Sequence, residues 1–208
     1  MKAIIIAFLS VVSISAWASS PIPVLSYLDA NVAGGFSTHS VQTSATHPKM
    51  GQFGMGIALG AEVWRGIMVG ANSDYRFINH YSDITKLVGN SRGNRWNYVA
   101  PMIGYKAGRF TLKGDFQFLG DYNLSNKTSK NEEVKYKKPL GGRLAVMYQL
   151  PQFWIYNLEG LHAGLYGEYL AFGKLWTTNA GERDMTTHLK LWQFGATVAW
   201  SFFYLYPP

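Results

Sequence analysis

The residues of this chain that could do chemistry are charged side chains set inside otherwise apolar stretches. Asp115, Arg143 and Glu168 each stand mid-way along a segment in which apolar and small residues alternate. Lys113, Asp29, Asp74, Arg76 and Glu62 occupy the same phase of similar segments. An arginine presents a fixed fork of donors that can bridge two carboxylates. Asp115, Arg143 and Glu168 are therefore expected to meet inside the molecule as an ion-paired plug. A proton or ion path along the same groups is the functional alternative, but charges taken out of water are normally paired. Catalytic groupings are thin. His39 and Ser40 are neighbours whose side chains would point apart on a strand, and His188 has Lys190 where a serine would be wanted. His162 has no second His or Cys at ligand spacing, so it reads as a hydrogen-bonding residue and not a metal ligand. Nucleophile, base and orienting group do not converge on any strand. No phosphate loop or dinucleotide fingerprint is present, and no cofactor is expected.

The elements that carry these residues are strands. From Gln52 to Trp64 the odd positions Phe53, Met55, Ile57, Leu59, Ala61 and Val63 are apolar, while Gln52, Gly54, Gly56, Ala58, Gly60 and Glu62 are small or polar. Strict alternation puts the two sets on opposite faces of a strand and is incompatible with a helical stripe. Similar alternation recurs over 25–36, 67–77, 95–105, 109–119, 139–150, 161–172 and 188–204. Pro101 cannot donate to a ladder, so a bulge or a one-residue shift is expected in the fourth strand, with Trp96, Tyr98, Ala100, Met102 and Gly104 outward and Val99, Ile103 and Tyr105 inward. Long polar connections at 37–50, 79–93, 121–138 and 173–187 alternate with three shorter ones. The fold class read from this is all-β: an eight-stranded antiparallel up-and-down barrel.

Composition narrows the setting. The N-terminus carries Lys2, an apolar run and Ala16-Trp17-Ala18, the features of an export signal over 1–18 ahead of a barrel domain over 19–208. The apolar run is too short to cross a membrane as a helix. The formal charge of +7 suits anionic lipid headgroups better than nucleic acid, which an exported chain rarely meets. The chain has no cysteine, which is compatible with an oxidising compartment.

Which face is the core decides the class. The polar set holds Asp29, Glu62, Asp74, Asp115, Glu168, Arg76, Arg109, Lys113 and Arg143, and the apolar face carries large rings near strand ends. An apolar exterior around a polar interior, closed so that no edge is left unpaired, is what a bilayer demands. The mature chain thus resembles the small eight-stranded outer-membrane β-barrel proteins, OmpA/OmpX-like in architecture. The aromatic ending Trp200, Phe202, Tyr204, Tyr206 fits their assembly signal, although Pro207-Pro208 follows it. The resemblance implies a Gram-negative outer membrane, with both termini and the short turns in the periplasm. It implies outer-membrane lipid, lipopolysaccharide and the barrel-assembly machinery as partners, and four loops presented outside for a structural or adhesive role. A narrow channel and a lipid A-modifying enzyme are alternatives within that class. A secreted, soluble lipocalin-like barrel with a ligand pocket is the alternative outside it.

Overall fold

The computed structural model describes residues 27–40, 49–80, 91–126, 133–151, 160–178 and 180–203, without the side chains of 39, 40, 49, 50, 80, 91, 126, 185–188, 202 and 203. The expected export signal lies outside these residues. The described chain is a closed antiparallel barrel of eight staves. They are β1 (Tyr27–Ser40), β2 (Lys49–Trp64), β3 (Ile67–His80), β4 (Ser91–Ala107), a fifth stave written as β5 (Phe110–Gln117) and β6 (Leu119–Asn126), then β7 (Glu133–Gln149), β8 (Leu161–Thr177) and β9 (Gly181–Phe203). Each pairs with its neighbour in sequence, and β1 closes the ring on β9 from Tyr27↔Phe203 to Ser40↔Lys190. The described ends Tyr27 and Phe203 share one rim, the turn end, with the short connections after Trp64 and Ala107; the opposite rim is the loop end.

The alternation read from β2 holds through Gly60. Phe53, Met55 and Ile57 are each 53% exposed, whereas Gln52, Gly54 and Ala58 are buried. Leu112, Leu144, Val146 and Leu165 extend the apolar exterior round the wall. A contiguous apolar face of this extent is untenable in water and is the surface a membrane barrel presents to lipid. Rings cluster toward both rims: Trp64, Tyr105 and Phe110 toward the turn end, Phe36, Phe53, Phe77 and Trp192 toward the loop end. The soluble alternative fails on this point, because its apolar face would have to line the interior.

The expected irregularity in β4 is real, and it spans three staves. The β4 register shifts between Asn97 and Val99 against β6 and opposite Asn72/Asp74 against β3, and the fifth stave breaks beside it at Phe118. Ser73 Oγ donates to the Asn97 carbonyl at 3.1 Å, and the Tyr98 hydroxyl donates to Asp121. The bulge inverts the phase. Arg95 and Asn97 face inward above it, Ala100, Met102 and Gly104 below it, so Ile103 and Tyr105 lie outside, the reverse of the expected inward placement.

A second bulge, between Glu62 and Trp64, leaves Glu62, Val63 and Trp64 all exposed. Glu62 therefore does not join the lumen; its Oε1 accepts from the Gly66 amide at 2.7 Å and pins the turn. Arg65 and Gly66 both have positive φ (38° and 86°), as a two-residue hairpin turn matched to strand twist requires.

The strands outrun the expected boundaries. The charged stretch 121–138 is largely strand, with 127–132 outside the described residues, and the stretch 173–187 is a hairpin rather than a long loop, since β8 runs to Thr177 and β9 restarts at Gly181. On this extension the outward residues are Lys135, Lys137, Lys174, Glu182 and Asp184, so it stands clear of the apolar belt. Inside it the ordinary rule returns. Ile78, Tyr122, Leu124, Val134, Tyr136, Leu170, Phe172, Leu175, Leu189 and Leu191 form one buried apolar core. With water instead of lipid outside, apolar side chains turn inward.

Candidate functional site

The lumen is built in three storeys. The topmost is the apolar core at the loop end, where Tyr122, Tyr136 and Phe172 pack with ring centroids 5.8–6.1 Å apart.

The middle storey is a lattice of ion pairs. Arg95, on β4, donates Nη1 to Glu168 Oε1 at 2.5 Å and Nη2 to Asp74 Oδ2 at 2.8 Å. Arg76 donates Nε to the same Asp74 oxygen at 2.8 Å and Nη1 to Gln193 at 3.2 Å, and lies 3.5 Å from Glu168 Oε2. Its guanidinium sits 4.5 Å over the Tyr166 ring. Gln117 donates to Glu168 at 2.5 Å and to Asp115 at 2.9 Å. Arg143 grips Asp115 Oδ2 through Nε at 2.8 Å and Nη2 at 2.6 Å. The cations Arg76, Arg95 and Arg143 match the anions Asp74, Asp115 and Glu168 in number. Room for the lattice comes from the small inner face of β2: a Cβ on Gly54 would stand 2.6 Å from Arg76 Cγ.

The lowest storey, at the turn end, pairs Lys113 with Asp29. Lys113 Nζ also lies 5.6 Å from the centre of the Tyr27 ring. His162 Nδ1 is 2.8 Å from the Gly160 carbonyl and 3.2 Å from Ser201 Oγ. The bond to the carbonyl requires a proton on Nδ1, so this nitrogen cannot take one from Ser201. The pair is a fixed hydrogen-bonded corner and not a nucleophile with its base.

The expected trio is therefore met in part. Asp115 and Arg143 bind each other directly, while Glu168, cross-strand from Arg143 in the β7–β8 register, makes its closest contacts with Arg95 and Gln117. Asp74 and Arg76 belong to the same lattice; Asp29 and Lys113 form a separate pair; Glu62 is outside. Arg95 was not among the expected site residues, although alternation with the outward Trp96 places it inward. The glutamines of the polar phase, Gln52, Gln117 and Gln193, were the available signal for a hydrogen-bonded lumen. His188 and His39-Ser40 have side chains outside the described residues. Among the described residues no group of His, Cys, Asp and Glu is arranged to hold a metal.

On the extension above the belt, Glu182 accepts from Lys174 Nζ at 2.7 Å and Lys137 Nζ at 2.9 Å. These two ammonium donors hold its carboxyl down at about 2.

The barrel itself has known counterparts. No family model and no curated protein matches the sequence. Among solved structures, Neisserial surface protein A superposes over 85% of this chain and 96% of its own, at 14% identity and a TM-score of 0.52. The fold is that of the small outer-membrane barrels. The attachment invasion locus protein of Yersinia pestis (9% identity, 84% of this chain and 98% of its own, TM-score 0.43) and the outer membrane protease OmpT of Escherichia coli (8% identity, 86% and 97%, TM-score 0.40) are also similar. By fold this chain is an eight-stranded β-barrel like those of outer membranes, and its apolar wall is the surface such a barrel turns to lipid.

Proposed function

We propose that this chain is a sealed barrel of the outer membrane whose role, structural or adhesive, is exercised by the surface it displays at the loop end. The turn end then faces the periplasm. The observation that carries this reading is the pair of successive layers across the lumen: an ion-pair lattice in which Arg76, Arg95, Asp74 and Glu168 are all at most 3% exposed, and an apolar core above it. An eight-stranded barrel has an interior only wide enough for its own side chains, and here the charged ones are paired with one another across it. A conducting channel would need a continuous wet path through both layers. A lipid A-modifying enzyme would need a nucleophile, base and orienting group converging on the lipid-facing wall. That the neighbour of similar fold is named a surface protein agrees with the reading. Purified protein in planar bilayers tests the seal: silence across the applied voltage range supports it, and stepwise openings would favour the channel. Mass analysis of lipid A from cells with and without the protein is expected to show identical acylation; a changed acyl number would restore the enzyme reading.

A further inference from the structure

The lowest storey holds space beneath the lattice. A cavity of about 50 Å³ lies between the ion-pair lattice and the turn end, lined by Asp29, Asn31, Lys113, Asp115, Arg143 and Thr197 among others. Its remaining wall combines small side chains, including Ala58, Ala145 and Ala199, with the larger Met102, Met147 and Tyr166. Asp29 is 2% exposed, and its Oδ1 has no hydrogen-bond partner among the described residues. A buried carboxylate oxygen left in this condition calls for a donor from outside the chain. A polar cavity needs roughly 10–15 Å³ per water, so this one has room for roughly three to five waters. Two of its lining cations keep some exposure, 12% at Arg143 and 18% at Lys113, whereas the lattice side chains of Glu168 and Asp74 are at 0% and 2%.

We propose that the turn-end half of the lumen is a blind hydrated pocket, admitting water and water-sized solutes from the turn side and passing none of them to the loop side. The inference rests on the sealed-lumen reading and adds a site to it. The free Asp29 oxygen and the unspent Lys113 protons are its recognition groups: one accepts from a guest, the other donates to it.

The absence of native cysteine makes the chain a clean background for a sided test. Ala145→Cys and Ala199→Cys, each in the full chain, put a thiol in the pocket wall with a small increase in volume. Asp184→Cys puts one on the exposed extension, where the native side chain is 87% exposed. The proteins are folded into lipid vesicles, and a polymer-linked maleimide added outside reports from the Asp184→Cys thiol what fraction of barrels has its loop end outward. Silver ion in nitrate buffer, a probe about the size of water, is then added outside. Ag⁺ replaces the thiol proton to give a silver thiolate, and thiols that escape are alkylated after unfolding and counted by mass. Only variants that keep the heat-shifted mobility of a folded barrel are scored, and two pocket positions guard against one failing to fold. The expected result is silvering of the pocket thiol in the fraction whose turn end faces out, and at least tenfold slower reaction in the remainder. Reaction in both orientations would overturn the pocket and the seal together. Reaction in neither would leave the seal standing and overturn the pocket.

Discussion

Arg95 and Arg143 show how much of this lumen hangs on single side chains. Arg95 is buried and Arg143 half-buried against carboxylates that are themselves out of water, and a charge whose partner is removed in such a place has little to replace it. Breaking a buried pair costs about 3–5 kcal/mol. Arg95→Ala is expected to destabilise the barrel by that amount, because Asp74 and Glu168 lose a shared donor at once. Arg143→Ala should cost somewhat less, since Asp115 keeps its bond from Gln117. Urea-unfolding midpoints in detergent or lipid read both, and an unchanged midpoint for Arg95→Ala would remove the lattice from the list of stabilising features. At the exposed end the chemistry is that of pH. With its carboxyl held at about 2 by Lys174 and Lys137, Glu182 binds its proton less readily folded than unfolded, where a glutamate titrates near about 4.3. Its contribution to stability is present above the unfolded value and is lost as pH falls through the folded one. Carbonyl NMR of the folded protein should show Glu182 still ionised at pH 3; a midpoint at the ordinary glutamate value would contradict the Lys174–Glu182–Lys137 contact.

At the level of elements, the strands were largely legible because period-two alternation is a direct imprint of a two-faced wall. Phe53, Met55 and Ile57 against Gln52, Gly54 and Gly56 needed no further information. What the alternation could not carry was phase across a bulge. One extra residue around Tyr98 reverses every side chain beyond it. Ala100, Met102 and Gly104 therefore face inward, and Ile103 and Tyr105 outward, against the phase that Trp96 sets. The bulge at Glu62–Trp64 misled in the same way. Lys135, Lys137 and Lys174 looked like loop because charged strands above a membrane lose the apolar outer face that identifies a spanning strand. Yet Val134, Tyr136 and Leu175 between them keep the period. The bulge is expected to be a register device: deletion of Tyr98 should abolish the heat-shifted folded band, whereas Tyr98→Phe should retain it. A deletion variant that folds normally would show that the wall tolerates either phase.

As a whole molecule, the chain changes solvent part-way up. Along the belt its apolar side chains face lipid and its charges face each other inside; on the extension the charges face water and the apolar side chains close over the lumen. Phe172 sits in the upper core, stacked among Tyr122 and Tyr136, with no measurable exposure. Phe172→Ala should therefore cost about 3–5 kcal/mol, as for other buried aromatics. The same inversion explains why a polar lumen was anticipated throughout and found only in its lower part. The seal, the pocket and the displayed surface all depend on the wall standing in a bilayer. Fractionation of expressing cells, with the outer-membrane fraction run unheated and boiled on the same gel, examines that directly. A band confined to that fraction that changes mobility on boiling is the expected result. A soluble periplasmic protein whose mobility is indifferent to heat would mean that the apolar face is not turned to lipid.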